Sequence, residues 1–310
     1  MTRHRILSLA TALMVAGGLA GCSIGPLNLD DFIGTPSVDE AREARRAELA
    51  PVVADASLKQ AGTLTVGIPD TQTAPLSIAS SDGTWSGVDV SMAYALADEL
   101  GISSVAFVSV DDVEGALADT CDVVMGVEPD EAGAASVVGG YAQTATGVFT
   151  RGDVTAPIDA SALAGATVGI QEGSVSSATL DDFELDVVRT PATNLNEAFD
   201  ALEQGSVQYV ICDAYAGAYL AAAYTDISFA GVLDEPVLVG VAVSGDELRS
   251  AVQSALEAVE TNGVSDIARA RWVGDLPTIT AESVISGLVP RTEAPAADAA
   301  AESDAQTPAE

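Results

Sequence analysis

The chain has 310 residues, of which 48% are apolar, and its formal net charge is −34 at pH 7. This length and apolar content are enough for a large core, usually divided between two lobes. The strong negative charge makes nucleic acids and anionic lipid surfaces poor partners. Any single acidic residue is most simply read as a solvated surface group.

The N-terminus has the pattern of an export signal. Residues 3–5 are Arg-His-Arg, residues 6–20 form a short apolar run, and Cys22 follows small residues. The run is too short to span a bilayer comfortably, so residues 1–21 are predicted to be a signal peptide. The tetrapeptide Leu-Ala-Gly-Cys resembles the lipobox of bacterial lipoproteins. This implies cleavage before Cys22, lipidation of its thiol and an extracytoplasmic location at the cell membrane, with a soluble exported protein or an uncleaved anchor as alternatives.

Cleavage would leave a chain without histidine, because His4 is the only one. Ser-His-Asp and Cys-His catalysis and histidine-ligated metal sites are then excluded. The two remaining thiols, Cys121 and Cys212, are too few for a four-cysteine zinc site. Cys121 begins a predicted strand and Cys212 ends one, which favours two buried thiols over a disulfide. We therefore expect neither a metal nor a cofactor.

Two end segments are predicted to lie outside the folded body. Residues 22–58 are interpreted as a tether that carries a short charged helix, with a capping box over 37–40. Residues 291–310 are mainly Ala, Pro, Glu and Asp. Because they offer almost nothing to bury, we expect a disordered acidic tail.

The first part of the body alternates short apolar strands with helices. Strands are predicted at 64–68, 105–110 and 121–127. The helix predicted over 87–100 has apolar residues at every fourth position and a glycine directly after it. A β-α-β-α-β order implies a parallel sheet covered on both faces.

The same pattern then occurs a second time. The tetrapeptide TVGI at 65–68 recurs at 167–170, followed by a helix, a strand, a helix that begins at Asn194, and a buried strand over 207–214. Segments 141–150 and 236–244 have few charges and lie at the boundaries of the two repeats, so they are predicted to cross between them. This order indicates two similar α/β lobes followed by a helical stretch, 246–275.

Five segments of the body form an ordered set of motifs. They are GTLTVGI (62–68), DGTWSGVDVSMAYALADELG (82–101), ALADTCDVVMG (116–126), LAGATVGIQEGS (163–174) and the stretch 245–275. Together they resemble the family 3 extracellular solute-binding proteins, receptors of ABC importers for polar amino acids.

The resemblance implies an α/β fold of the type 2 periplasmic-binding-protein kind, with two similar lobes joined by two crossing strands. Lobe 1 would comprise residues 59–145 plus 238–290, and lobe 2 would comprise 146–237. It also implies a monomer that closes on a small-molecule ligand, works with an ABC permease and ATPase, and is not an enzyme.

Ligand-binding residues follow from the resemblance one position at a time. Asp213 falls on the aspartate that takes an α-ammonium group, and Ser174 falls on a Ser/Thr that helps to hold the ligand. Gly126 and Glu128 fall on a stretch that supplies backbone contacts. The alternative role for Asp213 is to cap the helix that follows it.

One departure from the family pattern bears on the ligand. Glu131 stands at or beside the position of the arginine that pairs with an α-carboxylate, and no Arg or Lys occurs between Lys59 and Arg151. Bidentate arginine is the strong, directional partner of a carboxylate, and losing one side of a desolvated pair costs about 2–5 kcal/mol. A cationic or neutral ligand is therefore favoured unless Arg151 reaches the site, and Asp213, Glu128 and Glu131 could face an ammonium group, a guanidinium group or a metal ion. The alternative is that the acids at 128–131 cap a helix after Pro129.

The aromatic cover that is common in the family is also reduced, since Leu76 stands where Phe or Tyr is usual. Trp85 and Tyr141 are candidates for such cover, with core packing as the equal alternative. A solute receptor is the favoured function. The other hypotheses are a degenerate pair of lobes that serves as a surface interaction module, and an enzyme with Glu131 and Asp213 as its acid/base pair.

Overall fold

The computed structural model describes residues 51–71 and 74–291. The predicted signal peptide, the lipidation site at Cys22, the charged helix of the tether and the tail from residue 292 onward lie outside these ranges. Within them, no helix has the length and apolar character needed to cross a bilayer.

The described residues form twelve strands and seven α-helices. The strands are β1 (Thr63–Pro69), β2 (Ile78–Ala79), β3 (Trp85–Ser86), β4 (Ser104–Val110), β5 (Val123–Val127), β6 (Ser136–Thr144), β7 (Thr146–Arg151), β8 (Thr167–Gln171), β9 (Val188–Ala192), β10 (Tyr209–Asp213), β11 (Ile227–Val232) and β12 (Val237–Val243). The helices are α1 (Val88–Glu99), α2 (Val113–Asp119), α3 (Val175–Asp181), α4 (Leu195–Glu203), α5 (Ala214–Ala221), α6 (Asp246–Thr261) and α7 (Val264–Val273).

The first lobe is built on a sheet of order β4-β1-β5-β12-β6. Strand β1 pairs in parallel with β4 and β5, and β12 is antiparallel to both β5 and β6. All five residues of β5 are buried, as expected for a strand covered on both faces. Helix α1 packs its apolar positions into this core, which confirms the β-α-β-α-β prediction.

The second lobe repeats that plan, with a sheet of order β11-β7-β10-β8-β9. Strand β8 pairs in parallel with β9 and β10, and β7 is antiparallel to β10 and β11. The predicted cap is present, since the Asn194 side chain accepts a hydrogen bond from the Glu197 N–H at 3.1 Å. Each sheet also contains one antiparallel strand that the chain enters from the other lobe. This strand is β12 beside β5 in the first sheet and β7 beside β10 in the second.

Two short crossings join the lobes. Ala145 separates β6 from β7, inside the segment predicted for the first crossing. The second crossing is residues 233–236, which overlap the predicted segment 236–244 only at Pro236, because β12 begins at Val237 and belongs wholly to the first sheet. Pro236 lacks the N–H that a ladder needs, which suits a position just before a strand.

An acidic side chain fastens the two crossings together. Asp234 Oδ1 accepts a hydrogen bond from the Thr146 N–H at 2.6 Å, and its Oδ2 accepts one from the Thr146 hydroxyl at 3.3 Å. The Leu233 N–H donates to the Thr146 carbonyl at 2.8 Å. Thr146 and Asp234 are therefore held side by side at the point where the chain changes lobe.

Residues 51–58 differ from the tether prediction. Val53 and Leu58 are buried in the first-lobe core, and the Val52 N–H donates to the Leu100 carbonyl at 3.1 Å. Their apolar side chains fill the space beside the end of α1. The tether interpretation is therefore wrong for this part of the segment.

The chain after α7 differs from the prediction as well, because it packs on the second lobe. Ile285 is 2% exposed in the second-lobe core, and its N–H donates to the Val232 carbonyl at 2.9 Å. The Ser286 hydroxyl donates to Asp159 at 2.9 Å. The sequence assignment placed residues up to 290 in the first lobe, but the strand edge that they meet is β11.

Both cysteines are free and buried, in different lobes. Cys121 lies in the first lobe just before β5, and Cys212 lies within β10 of the second. Burial is the main cause that raises the pKa of each thiol. They therefore act as small apolar side chains.

The docking of the C-terminal segment gives a stability prediction. Ile285→Ala should lower the free energy of unfolding by about 2–5 kcal/mol, because it opens a cavity in the second-lobe core. Urea unfolding measures this change. The matched control is Val289→Ala in the same segment, where the side chain is 52% exposed and the change should stay within about 0.5 kcal/mol. Equal, small effects of both substitutions would show that the segment is not docked in solution.

Candidate functional site

A cavity of about 450 Å³ lies between the two lobes, against the two crossings. It is lined by the ends of β1, β5 and β10, by the start of α3 and by both crossings. Ligands of α/β proteins typically lie at the carboxyl ends of the parallel strands. The fold therefore places the ends of strands from both lobes around one cleft.

The cleft is lined by five carboxylates. Four residues that the sequence predicted for the site, Gly126, Glu128, Glu131 and Asp213, line it together. Two further acids were missed, and they are Asp234 and Glu235 of the second crossing. Two adjacent acids directly before a proline at a lobe boundary were the signal for them. No Arg or Lys is among the lining residues that the structure describes.

Asp213 ends β10 and has two roles. Its Oδ1 accepts a hydrogen bond from the Ala216 N–H at 2.8 Å, so it caps α5 while it lines the cleft. Burial raises the pKa of Asp213 to about 6, despite hydrogen bonds from the backbone of Ala216 and Tyr215 and from Thr144, and Asp234 raises it further. The capping and ligand-site interpretations are thus compatible.

Residues 129–135 form turns that lead into β6, and no helix follows Pro129. The interpretation of these acids as helix caps is therefore wrong. The Glu131 N–H donates to the Glu128 carbonyl at 3.1 Å, and the Glu128 N–H donates to Glu131 Oε2 at 3.3 Å. Burial is the main cause that raises the pKa of Glu128, and the charges of Glu131, Asp130 and Asp213 raise it further. Glu128 of the first lobe is therefore repelled by the charge of Asp213 on the second lobe.

Two predicted site residues, Ser174 and Trp85, lie outside the described lining of the cleft and make structural contacts. The Ser174 hydroxyl accepts a hydrogen bond from the Ser177 N–H at 3.1 Å and donates to the Gln171 carbonyl at 2.8 Å, which caps α3. Trp85, in β3, packs against the first-lobe core. Neither belongs to the described lining of the cleft, although the residues directly after Ser174 do.

Arg151 does not reach the cleft. Its guanidinium donates to the Glu203 carbonyl at 3.3 Å, on the outside of the second lobe. It lies five residues along β7 from Thr146, which pairs with Asp213 at the cleft end of the strand. Five residues of strand span roughly 16 Å. The suggestion that Arg151 replaces the family arginine is wrong.

Tyr141 is a buried link under the cleft wall. Its hydroxyl donates to Asp89 Oδ1 at 2.7 Å and accepts a hydrogen bond from the Gly126 N–H at 2.7 Å. One side chain thus connects β6, the first turn of α1 and the end of β5. Core packing, the alternative to aromatic cover, describes its position.

Asp89 is 0% exposed, and its Oδ2 has no hydrogen-bond partner among the described residues. Burial raises the pKa of Asp89 to about 7, although the hydrogen bond from Tyr141 acts in the opposite direction. Burial and the neighbouring Asp89 also raise the pKa of Tyr141 well above its ordinary value. No signal in the sequence pairs these two residues, which lie 52 positions apart.

Across residues 51–71 and 74–291, no three His, Cys, Asp or Glu side chains are grouped so that they could hold a metal ion. The carboxylates of the cleft are distributed along its walls.

The sequence profile of the bacterial extracellular solute-binding proteins, family 3, matches residues 64–275. The chain belongs to this family. The match covers both lobes and ends just after α7. No curated protein sequence matches the chain.

Solved structures show the same two-lobed fold. An ancestral cationic amino acid solute-binding protein is 26% identical, with a TM-score of 0.58 over 68% of this chain and 96% of its own. A polar amino acid ABC uptake transporter substrate-binding protein from Streptococcus thermophilus is 19% identical, with a TM-score of 0.60 over 73% and 88%. The L-cystine solute receptor of Neisseria gonorrhoeae, unliganded and open, is 20% identical, with a TM-score of 0.58 over 72% and 94%. The fold is that of the type 2 periplasmic binding proteins.

The buried carboxyl group gives a prediction for the pH dependence of stability. The pKa of Asp89 in the fold, about 7, exceeds its ordinary value of 3.8. Its contribution to stability is therefore fully present below about pH 4 and is lost as the pH rises to about 7. Relative to Asp89→Asn, the wild type should lose free energy of unfolding over this range, by an amount on the order of a few kcal/mol.

Urea unfolding at several pH values measures this difference. Asp153→Asn, at an exposed position, is the matched control and should leave the pH profile unchanged. The informative quantity is the change in the free energy of unfolding with pH. The absolute stability of Asp89→Asn also contains the cost of burying the amide N–H donors, but this cost is the same at every pH. Parallel profiles for the wild type and Asp89→Asn would show that Asp89 does not titrate in this range.

Proposed function

We propose that this protein is the lipid-anchored extracytoplasmic receptor of an ABC importer and that it binds a small, positively charged solute between its lobes. The observation that carries the proposal is the cleft itself. It lies where two α/β lobes meet, and five carboxylates line it without a described basic side chain. Membership of a solute-binding family supplies the class of function.

The mechanism follows from the two-lobed architecture. A solute that contacts both lobes favours the closed arrangement over the open one, so binding shifts the population towards closure. The crossings are short and fastened by Asp234, which concentrates the movement at residues 144–146 and 233–236. A permease would then recognise the closed form, and an ATPase would drive transport.

Asp213 is proposed to receive the ammonium group of the solute. It lines the cleft at the end of β10 and keeps one carboxyl oxygen engaged with the start of α5, which fixes its position. The 26% identical ancestral protein is named for cationic amino acids, which is consistent with a positively charged solute here. Glu128 and Glu131 provide negative charge from the other lobe.

Solute binding should depend on Asp213 and on pH. A thermal-shift panel of amino acids and amines should contain a solute that stabilises the protein, by about 2.7 kcal/mol at a hundred times its Kd. Asp213→Asn should abolish that shift, while Asp153→Asn should preserve it. Because the pKa of Asp213 is about 6, affinity for a cation should weaken as the pH falls below this value. A shift that survives in Asp213→Asn would remove this residue from the site.

The anchor is proposed to be a lipid on Cys22, which lies outside the described residues. Cys22→Ser should move the protein out of the membrane fraction or leave its signal uncleaved, because no thiol remains at the cleavage site to receive the lipid. Cell fractionation and mass measurement of the mature N-terminus test this. Cys121→Ala is the control, since this thiol is buried in the first lobe. Membrane retention of a cleaved Cys22→Ser variant would contradict lipid anchoring.

A further inference from the structure

The charges that line the cleft oppose a ligand carboxylate. Glu128 and Glu131 come from the turn after β5 in the first lobe, and Asp213 comes from the end of β10 in the second. No basic side chain is among the described residues around them. A carboxylate on the solute would therefore enter without a counter-charge and would face several like charges.

The acids lie on both lobes, and this arrangement favours a solute with two positive charges over a solute with one. A single ammonium group at Asp213 would leave the charge of Glu128 and Glu131 uncompensated as the walls approach each other. The charge of Asp213 already acts on Glu128 in the present arrangement. A solute with an ammonium group at each end offsets the repulsion on both walls, and so favours closure more than a monocation does.

Apolar side chains share the lining of the cleft with these charged groups. Its lining includes Leu76 from the first lobe, Val175 from the start of α3 and Val239 from β12. Val175 is 82% exposed, so lobe closure or a ligand would have apolar surface to cover there. A chain of methylene groups is the complementary surface, and a cavity of about 450 Å³ is within the range of small-molecule sites.

The type of cation is restricted by the same lining. Quaternary ammonium groups are recognised by aromatic cages, and no aromatic side chain is among the described lining residues. A primary ammonium instead offers three N–H donors. The half-buried Glu128 carboxylate accepts no hydrogen bond within the described parts of the chain and is available to such a donor.

We propose that the solute is a small aliphatic diamine without a carboxylate, held with one ammonium group at Asp213 and the other at Glu128, and with its methylene chain against the apolar side chains of the lining. This inference rests on the proposed receptor function and makes its substrate class specific. It separates this chain from receptors that require an α-amino acid.

The decisive comparison is between two compounds that differ only in a carboxylate. Ornithine is 1,4-diaminobutane with a carboxylate on one amine-bearing carbon. Isothermal titration calorimetry of the full-length protein should show 1,4-diaminobutane binding at least about thirtyfold more tightly, which corresponds to about 2 kcal/mol. The same order is expected for 1,5-diaminopentane against lysine.

Variants test whether the diamine spans the cleft. Glu128→Gln should weaken 1,4-diaminobutane at least about tenfold, while the weaker binding of 1-aminobutane, which uses Asp213 alone, should change less than threefold. Glu184→Gln removes the same charge from an exposed position of the second lobe and should change neither affinity. Glu131→Arg should reverse the preference towards ornithine, because it supplies a guanidinium partner for the carboxylate.

Each outcome has a defined meaning. Equal or tighter binding of ornithine overturns the diamine inference and leaves the receptor function intact. Binding of Mg²⁺, Ca²⁺ or a quaternary amine without binding of either diamine also overturns the inference. If no amino acid, amine or metal ion binds, the receptor function fails and the inference fails with it. An equal loss for 1-aminobutane and 1,4-diaminobutane in Glu128→Gln contradicts the spanning arrangement.

Discussion

The arrangement of the molecule depends on the hydrogen bonds that Asp234 makes to Thr146. The chain changes lobe at only two places, and this carboxylate accepts both the N–H and the hydroxyl of Thr146, so the two crossings act as one element. A hydrogen bond to a charged group contributes about 1.5–3 kcal/mol, more than a neutral one. The contact also sets where the strand ends of both lobes face each other. Because of this contact, the same residues of the two lobes line the cleft.

Much of this architecture was readable from the sequence, because it depends on local patterns. The two strands that contain TVGI are mostly apolar, and Asn194 stands directly before an amphipathic segment, so strand, helix and cap were predicted correctly. Asp213 and Glu128 were placed near a ligand through the order of motifs, and the structure brings both to one cleft. Both residues lie at the end of a predicted strand, so their place in the fold followed from the local sequence.

What could not be read depends on partners distant in the chain. Ile285 docks against Val232, and Tyr141 pairs with Asp89; neither contact leaves a periodic pattern. The acids around Pro129 suit the first turn of a helix and a tight turn equally well. The structure decides for turns because β6 begins at Ser136, which leaves too few residues for a helix and a connection. In each case the structure depends on which residues lie near each other in the fold, and residue type alone does not determine it.

The negative charge of the cleft continues over the whole chain, whose net value is −34. A field of this kind raises the local concentration of cations near the protein surface. Since the Debye length is about 8 Å at physiological ionic strength, most of that attraction operates close to the protein and weakens as salt increases. The rate of capture, and not only its equilibrium, would then vary with the ionic strength outside the cell.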